Sequence, residues 1–194
     1  MRWILFLYAA SVVYSAIRYV VFAPKNLENL PVFVVNKGIS MAAAICLSLA
    51  FLEQWRRLRG GGGSVEPASW FRAGMFGAFA HVPMSLVILR PSYFKEFFAG
   101  DRLSFNGEAV FLFGALAVGC FYLLARPTLT AMQRWGLSVV AIAILFAHVL
   151  SMGIARGVNI NRSHAYLPPM WLLSLIGIAL GAGFLLMARP KRTG

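Results

Sequence analysis

Residues 135–155 read WGLSVVAIAILFAHVLSMGIA, an uncharged apolar run with one histidine, His148, inside it. A bilayer core of about 30 Å is crossed by about 20 apolar residues in a helix, so the run predicts a membrane span. An imidazole in hydrocarbon is costly, which makes it a candidate functional group. A second histidine, His81, lies in a comparable run at 71–89, FRAGMFGAFAHVPMSLVIL. At about 1.5 Å per residue, His81 falls about 12 Å below Leu89 and His148 about 10 Å below Ala155. Two histidines at matched depth predict a shared ligand.

The remainder of the chain has the same character. Its 194 residues are 60% hydrophobic and 12% charged, with mean hydropathy +0.74, which excludes an ordinary soluble domain. Six segments, approximately 3–23, 32–52, 71–89, 109–125, 135–155 and 168–188, predict an all-α integral membrane protein, a six-transmembrane-helix bundle forming a single membrane domain over 1–194. Turn chemistry separates them at Pro24, Pro31, Gly60 to Ser64, Pro91, Asn106-Gly107, Pro127 and Pro168-Pro169. The glycine run lacks the Gly-Lys-Ser/Thr of a phosphate loop and reads as a flexible linker. Arg2 and Tyr14-Ser15-Ala16 imitate a cleavable leader, but hydrophobicity continues to Phe22 and predicts a retained helix.

The net charge is +12. The basic residues flank apolar runs instead of forming one patch interleaved with aromatics, a pattern that argues against nucleic acid and for membrane lipid as the surrounding partner. Arg56, Arg57, Arg59, Arg72, Arg126, Arg134, Arg189, Lys191 and Arg192 fall on one side if all six segments span, and Arg2 joins them. That side is expected to be the cytoplasm, with both termini there, most simply in a bacterial inner (plasma) membrane. Lys25, Arg90, Lys95, Arg102, Arg156 and Arg162 belong to the other side.

Zinc wants three or four protein ligands, and no cluster of Cys, Asp or Glu accompanies the histidines. Haem iron needs two axial ligands, and histidine is a common one. Gly74, Gly77, Ala78, His81 and Ser85 recur at helical spacing, a groove that suits either a porphyrin edge or close helix packing. Arg90, Arg156, Arg18 and Lys37 stand near the same outer level and are candidates for haem propionates; interfacial snorkelling explains Arg90 and Arg156 equally well. A proton relay, a proton-linked channel or a small transporter would use the same polar residues without haem. His164 sits in the polar connection NINRSHAYLPP, beside the sequon Asn161-Arg162-Ser163, and is expected to be a loop residue. Cys46 and Cys120 each lie alone in an apolar run and read as small core residues.

Three stretches carry a resemblance: AFAHVPMSLVI, DRLSFNGEAVFLFGALA and MQRWGLSVVAIAILFAHVLSMG. With histidines in the third and fifth of six short helices, the chain resembles the ferric reductase-like transmembrane family, and within it the haem-binding membrane subunits of bacterial periplasmic methionine sulfoxide reductase systems. The resemblance implies one b-type haem ligated by His81 and His148 and electron transfer across the membrane. It also implies a quinol or a separate reductase as electron donor and a redox partner on the extracytoplasmic side. Many family members carry a second histidine 13 or 14 residues from each ligand. Here those positions hold Arg134, Trp135, Asn161 and Arg162 around His148, and Pro67, Ala68, Phe94 and Lys95 around His81. One bis-histidine site is therefore expected. No GxGxxG follows a strand and no segment of domain size lies outside the membrane, so no nicotinamide or flavin domain is expected, and the chain is expected to work as a redox subunit or as a stand-alone quinol-linked reductase.

Overall fold

The computed structural model describes residues 1–22, 28–155 and 167–190. Lys25, Arg156, Arg162, His164, the sequon and the last four residues lie outside the described residues.

The elements follow the hydropathy of the chain, with ends set by local chemistry. Helix α1 (Arg2–Ala16) runs into a single π-helical turn, Ile17–Val21, which turns Arg18 and Tyr19 into the protein. Helix α2 (Leu30–Leu58) and helix α3 (Pro67–Val87) each start with proline in the first turn, where a missing N–H costs nothing and φ is already helical. A short helix α4 (Pro91–Phe94) and a 3-10 turn lead into a two-stranded hairpin, β1 (Phe98–Ala99) and β2 (Arg102–Leu103), with Gly100 at φ 64 in its turn. Helix α5 (Phe105–Leu124) is capped by Ser104, whose Oγ accepts from Gly107 N at 3.3 Å. Helix α6 (Ala131–Ala155) opens on a reciprocal cap: Gln133 N donates to Thr130 Oγ1 at 3.3 Å and Thr130 N to Gln133 Oε1 at 3.0 Å. Helix α7 (Met170–Met187) completes the set.

Five of these, α1 with its π turn, α2, α5, α6 and α7, are long and apolar enough to cross a membrane. Helix α3, which carries His81, reaches that standard only together with the segment Pro91–Phe97, from which it is bent by 113°. The reason lies in its composition: Arg72, Gly74, Gly77, His81, Pro83 and Ser85 all dilute the apolar run. The fold is thus all-α and membrane-like, with five to six candidate spans.

Helix α2 is the hub, packed against α1, α3 and α7, while α6 packs against α5 and α7. Helices α2, α3, α5, α6 and α7 form a ring whose thinnest joint is between α3 and α5; α1 lies outside it against α2. Glycine makes these crossings close. A Cβ on Gly38 would lie 2.6 Å from Val12 Cα, one on Gly74 would lie 2.6 Å from Leu47 Cγ, and one on Gly77 would collide with the Tyr8 hydroxyl. Tyr8 donates from that hydroxyl to Ala73 O at 2.7 Å. Two of the five residues of the small-residue groove on α3, Gly74 and Gly77, are therefore taken up by helix packing. In the glycine run a Cβ on Gly63 would collide with the buried Glu53 carboxylate, whereas one on Gly60 or Gly62 would meet nothing within 4 Å.

Candidate functional site

The ring of five helices encloses a cavity of about 230 Å³, and both histidines line it. Its walls are apolar for the most part. Among the described residues that line it, Lys37 is the one charged side chain, and Asn36, Ser40, Ser85 and Ser174 supply most of the remaining polarity. An apolar pocket with a few convergent polar groups is the usual form of a cofactor site.

Each histidine is oriented by its neighbours. His148 lies within hydrogen-bond reach of the Val110 carbonyl, Nδ1 to O 2.8 Å. A carbonyl only accepts, so Nδ1 carries the proton and Nε2 is left with its lone pair. This approach to α5 is allowed by Gly114, where a Cβ would lie 3.0 Å from His148 Cε1 and 3.1 Å from Nδ1. His81 stands on α3 with Nδ1 2.6 Å from Asn36 Oδ1. Asn36 Nδ2 donates to Ser85 Oγ at 3.1 Å, and that hydroxyl lies 3.3 Å from Nδ1 and 3.2 Å from Nε2 of His81. Serine and histidine four residues apart on α3 thus meet one amide from α2. Metal-bound histidines almost always donate their second ring N–H to an oxygen in this manner.

The end of the cavity beside α4 has an aromatic cover that the sequence did not announce. Phe94 and Phe97, from the segment after Pro91, both line the cavity and stack with ring centroids 5.3 Å apart and an interplanar angle of 4°. Lys37 is 5% exposed, with Nζ 4.7 Å from the Phe94 centroid and 5.6 Å from that of Phe33. The ammonium is thereby held over ring faces at the cavity's edge. On one side the cavity opens between α3 and α5, where Val82, Leu86, Phe111 and Ala115 line it and are also exposed on the outside of the bundle.

The other basic candidates lie elsewhere. Arg90 is exposed, sits 3.6 Å from Glu28 Oε2 and is not among the residues lining the cavity. Arg18 is buried but turned away from it: Nη1 donates to the carbonyls of Leu167 and of Pro168, the latter at 3.1 Å, beside Tyr14, whose hydroxyl donates to Pro168 O at 2.6 Å. Arg156 and His164 lie outside the described residues. Cys46 and Cys120 are free thiols, Cys46 fully buried. Among the described residues no group of three or more His, Cys, Asp or Glu gathers as a metal site. Two imidazoles therefore line one cavity with no further His, Cys, Asp or Glu grouped with them among the described residues.

Comparison with family models and with curated proteins finds no match for the chain.

Proposed function

We propose that the chain is a b-type haem-binding membrane protein that mediates electron transfer, a ferric reductase-like cytochrome or redox subunit with one haem between α3 and α6. The observation that carries this reading is that His81 and His148 line one cavity with Nδ1 of each engaged by an oxygen: the Val110 carbonyl leaves the His148 lone pair on Nε2, and Asn36 Oδ1, oriented as it is, does the same for His81, whose Nε2 has the Ser85 hydroxyl 3.2 Å away. The donor set and the apolar walls fit haem b: His81 and His148 would hold the iron, and Lys37 is placed for a propionate. Bound haem supplies a one-electron couple whose potential depends on axial ligands and burial.

The chain's own residues do the rest. The Val110 carbonyl and the Asn36 amide aim the two imidazoles, while Phe94 and Phe97 cover the outer end against water. The gap between α3 and α5 faces the lipid side of the bundle, which gives a lipid-soluble donor such as a quinol an approach from within the bilayer. Six spans, with α3 as one of them, and an inner-membrane location with both termini cytoplasmic complete the proposal.

Reduced-minus-oxidised spectra of purified protein test it, with haem quantified per chain. Wild type is expected to hold one low-spin haem. His81→Ala and His148→Ala are each expected to lose it or to become five-coordinate and high-spin, and Cys120→Ala is expected to match wild type. A low-spin spectrum unchanged by His148→Ala sinks the proposal, and a haem-free wild type from haem-replete cells does so as well.

A further inference from the structure

The two histidines are held in unlike ways. His148 leans on a backbone carbonyl, which no side-chain replacement removes. His81 leans on a side chain: its Nδ1 lies 2.6 Å from Oδ1 of Asn36, a residue of the neighbouring helix α2 that is 1% exposed. An amide buried in hydrocarbon without partners is strongly unfavourable. Asn36 finds its side-chain partners here in His81 and Ser85. The pairing has two self-consistent arrangements. With Oδ1 toward His81, the imidazole is protonated on Nδ1 and Nε2 carries a lone pair, with the Ser85 hydroxyl 3.2 Å from it; with the amide reversed, Nδ1 would have to accept and Nε2 would carry the proton. Only the first leaves a ligand lone pair on Nε2.

We infer that Asn36 is the positioning residue of this site: it fixes the Nδ1–H form of His81, and through the strength of its acceptor oxygen it sets the redox potential of the group bound there. The second half rests on the haem reading above. The physical reason is the polarity of the shared proton. A stronger acceptor draws the Nδ1 proton away from the ring, makes Nε2 a better donor and favours the oxidised iron; removing the acceptor does the reverse. A purely structural asparagine would alter stability and leave the potential where it was.

Two measurements test this. In ¹⁵N-histidine-labelled protein prepared without haem, with His81 assigned by its loss in His81→Ala, the ring should be protonated on Nδ1 with Nε2 bare. An Nε2-protonated ring overturns the positioning role. In haem-loaded protein, Asn36→Asp should lower the midpoint potential below that of wild type and Asn36→Leu should raise it. The equilibrium constant for reduction should differ at least tenfold between the two variants, about 59 mV for one electron, at equal haem per chain. If Asn36→Leu does not fold, Asn36→Asp against wild type decides by the sign of the shift. Equal potentials overturn the tuning role while leaving the haem reading intact. Failure of wild type to bind haem overturns that reading and the tuning role together, and the nitrogen spectrum then still decides the tautomer.

Discussion

Gly114 determines how near His148 comes to α5, since any side chain there meets the imidazole at 3.0 Å. Gly114→Val should therefore push the ring off the Val110 carbonyl. The expected result is loss of low-spin haem with a fold that survives, weakened by about 1–3 kcal/mol from overpacking. Gly119→Ala, on the same helix with nothing within 4 Å of the added Cβ, is the control and should leave both spectrum and thermal unfolding as in wild type. The contrast shows which parts of the site were readable at this scale. His81, His148 and the pair Asn36-Lys37 stand out in the sequence because an ionisable or amide side chain is conspicuous in an apolar run. Val110 is invisible because it acts through its carbonyl, which every residue possesses. Gly114 is one glycine among 18, and nothing in the sequence tells it from Gly119. The groove of Gly74, Gly77, Ala78, His81 and Ser85 was legible as a face. That its first two members pack against α2 and Tyr8 while the last three line the cavity depends on which helix lies opposite.

At the scale of the element, the π turn at Ile17–Val21 converts an exposed helix end into an anchor. It buries Arg18 where the guanidinium reaches the carbonyls of Leu167 and Pro168, just before α7. Hydrogen bonds from a charged donor contribute about 1.5–3 kcal/mol each when buried. Arg18→Met should lower the unfolding free energy by about that much while haem per chain stays constant, because Arg18 is not part of the cavity wall. A selective loss of haem without loss of thermal stability would show instead that Arg18 serves the ligand. The positions of the long helices were legible from hydropathy; the differences lie at their ends, in the short helix and hairpin after Pro91, and in α3, which does not qualify as a span by itself. Helix α6 begins four residues before Trp135 because Thr130-x-x-Gln133 caps it, a pattern present in the sequence but polar and outside the apolar window. Helix α2 runs on to Leu58, where Glu53 and Arg56 pair at 3.0 Å and hold the helix beyond the apolar stretch. Thr130→Ala should fray the start of α6 and cost about 0.5–2 kcal/mol, read as a lowered thermal midpoint.

Across the whole molecule the charges separate by end. Arg2, Arg56, Arg57, Arg59, Arg72, Arg126, Arg134 and Arg189 lie at the end where α2, α5 and α7 finish and α3 and α6 begin, together with Glu53 and Glu66. Contacts bring these helix ends together: Arg134 donates to Leu124 O at 2.7 Å and to Arg126 O at 3.2 Å, Arg189 lies 5.3 Å from the Trp135 ring centroid, and Trp55 packs against Phe184 at 5.3 Å. The opposite end holds Arg90, Lys95 and Arg102 against Glu28, Glu96, Asp101 and Glu108 among the described residues. Lys and Arg near span ends favour the cytoplasmic side, and acidic residues weigh little in that choice. Under the proposed orientation the arginine-rich end faces the cytoplasm, and the aromatic cover of Phe94 and Phe97, with the histidines beneath it, faces the extracytoplasmic side. Reporter fusions after Gly62 and at the C-terminus should both fluoresce as green fluorescent protein and lack alkaline phosphatase activity, whereas a phosphatase inserted after Asp101, in the turn of the hairpin, should be active. Active phosphatase at Gly62 or at the C-terminus would reverse the orientation. The haem reading would survive that reversal, because the ligands depend on the cavity alone; the side on which a redox partner docks would not.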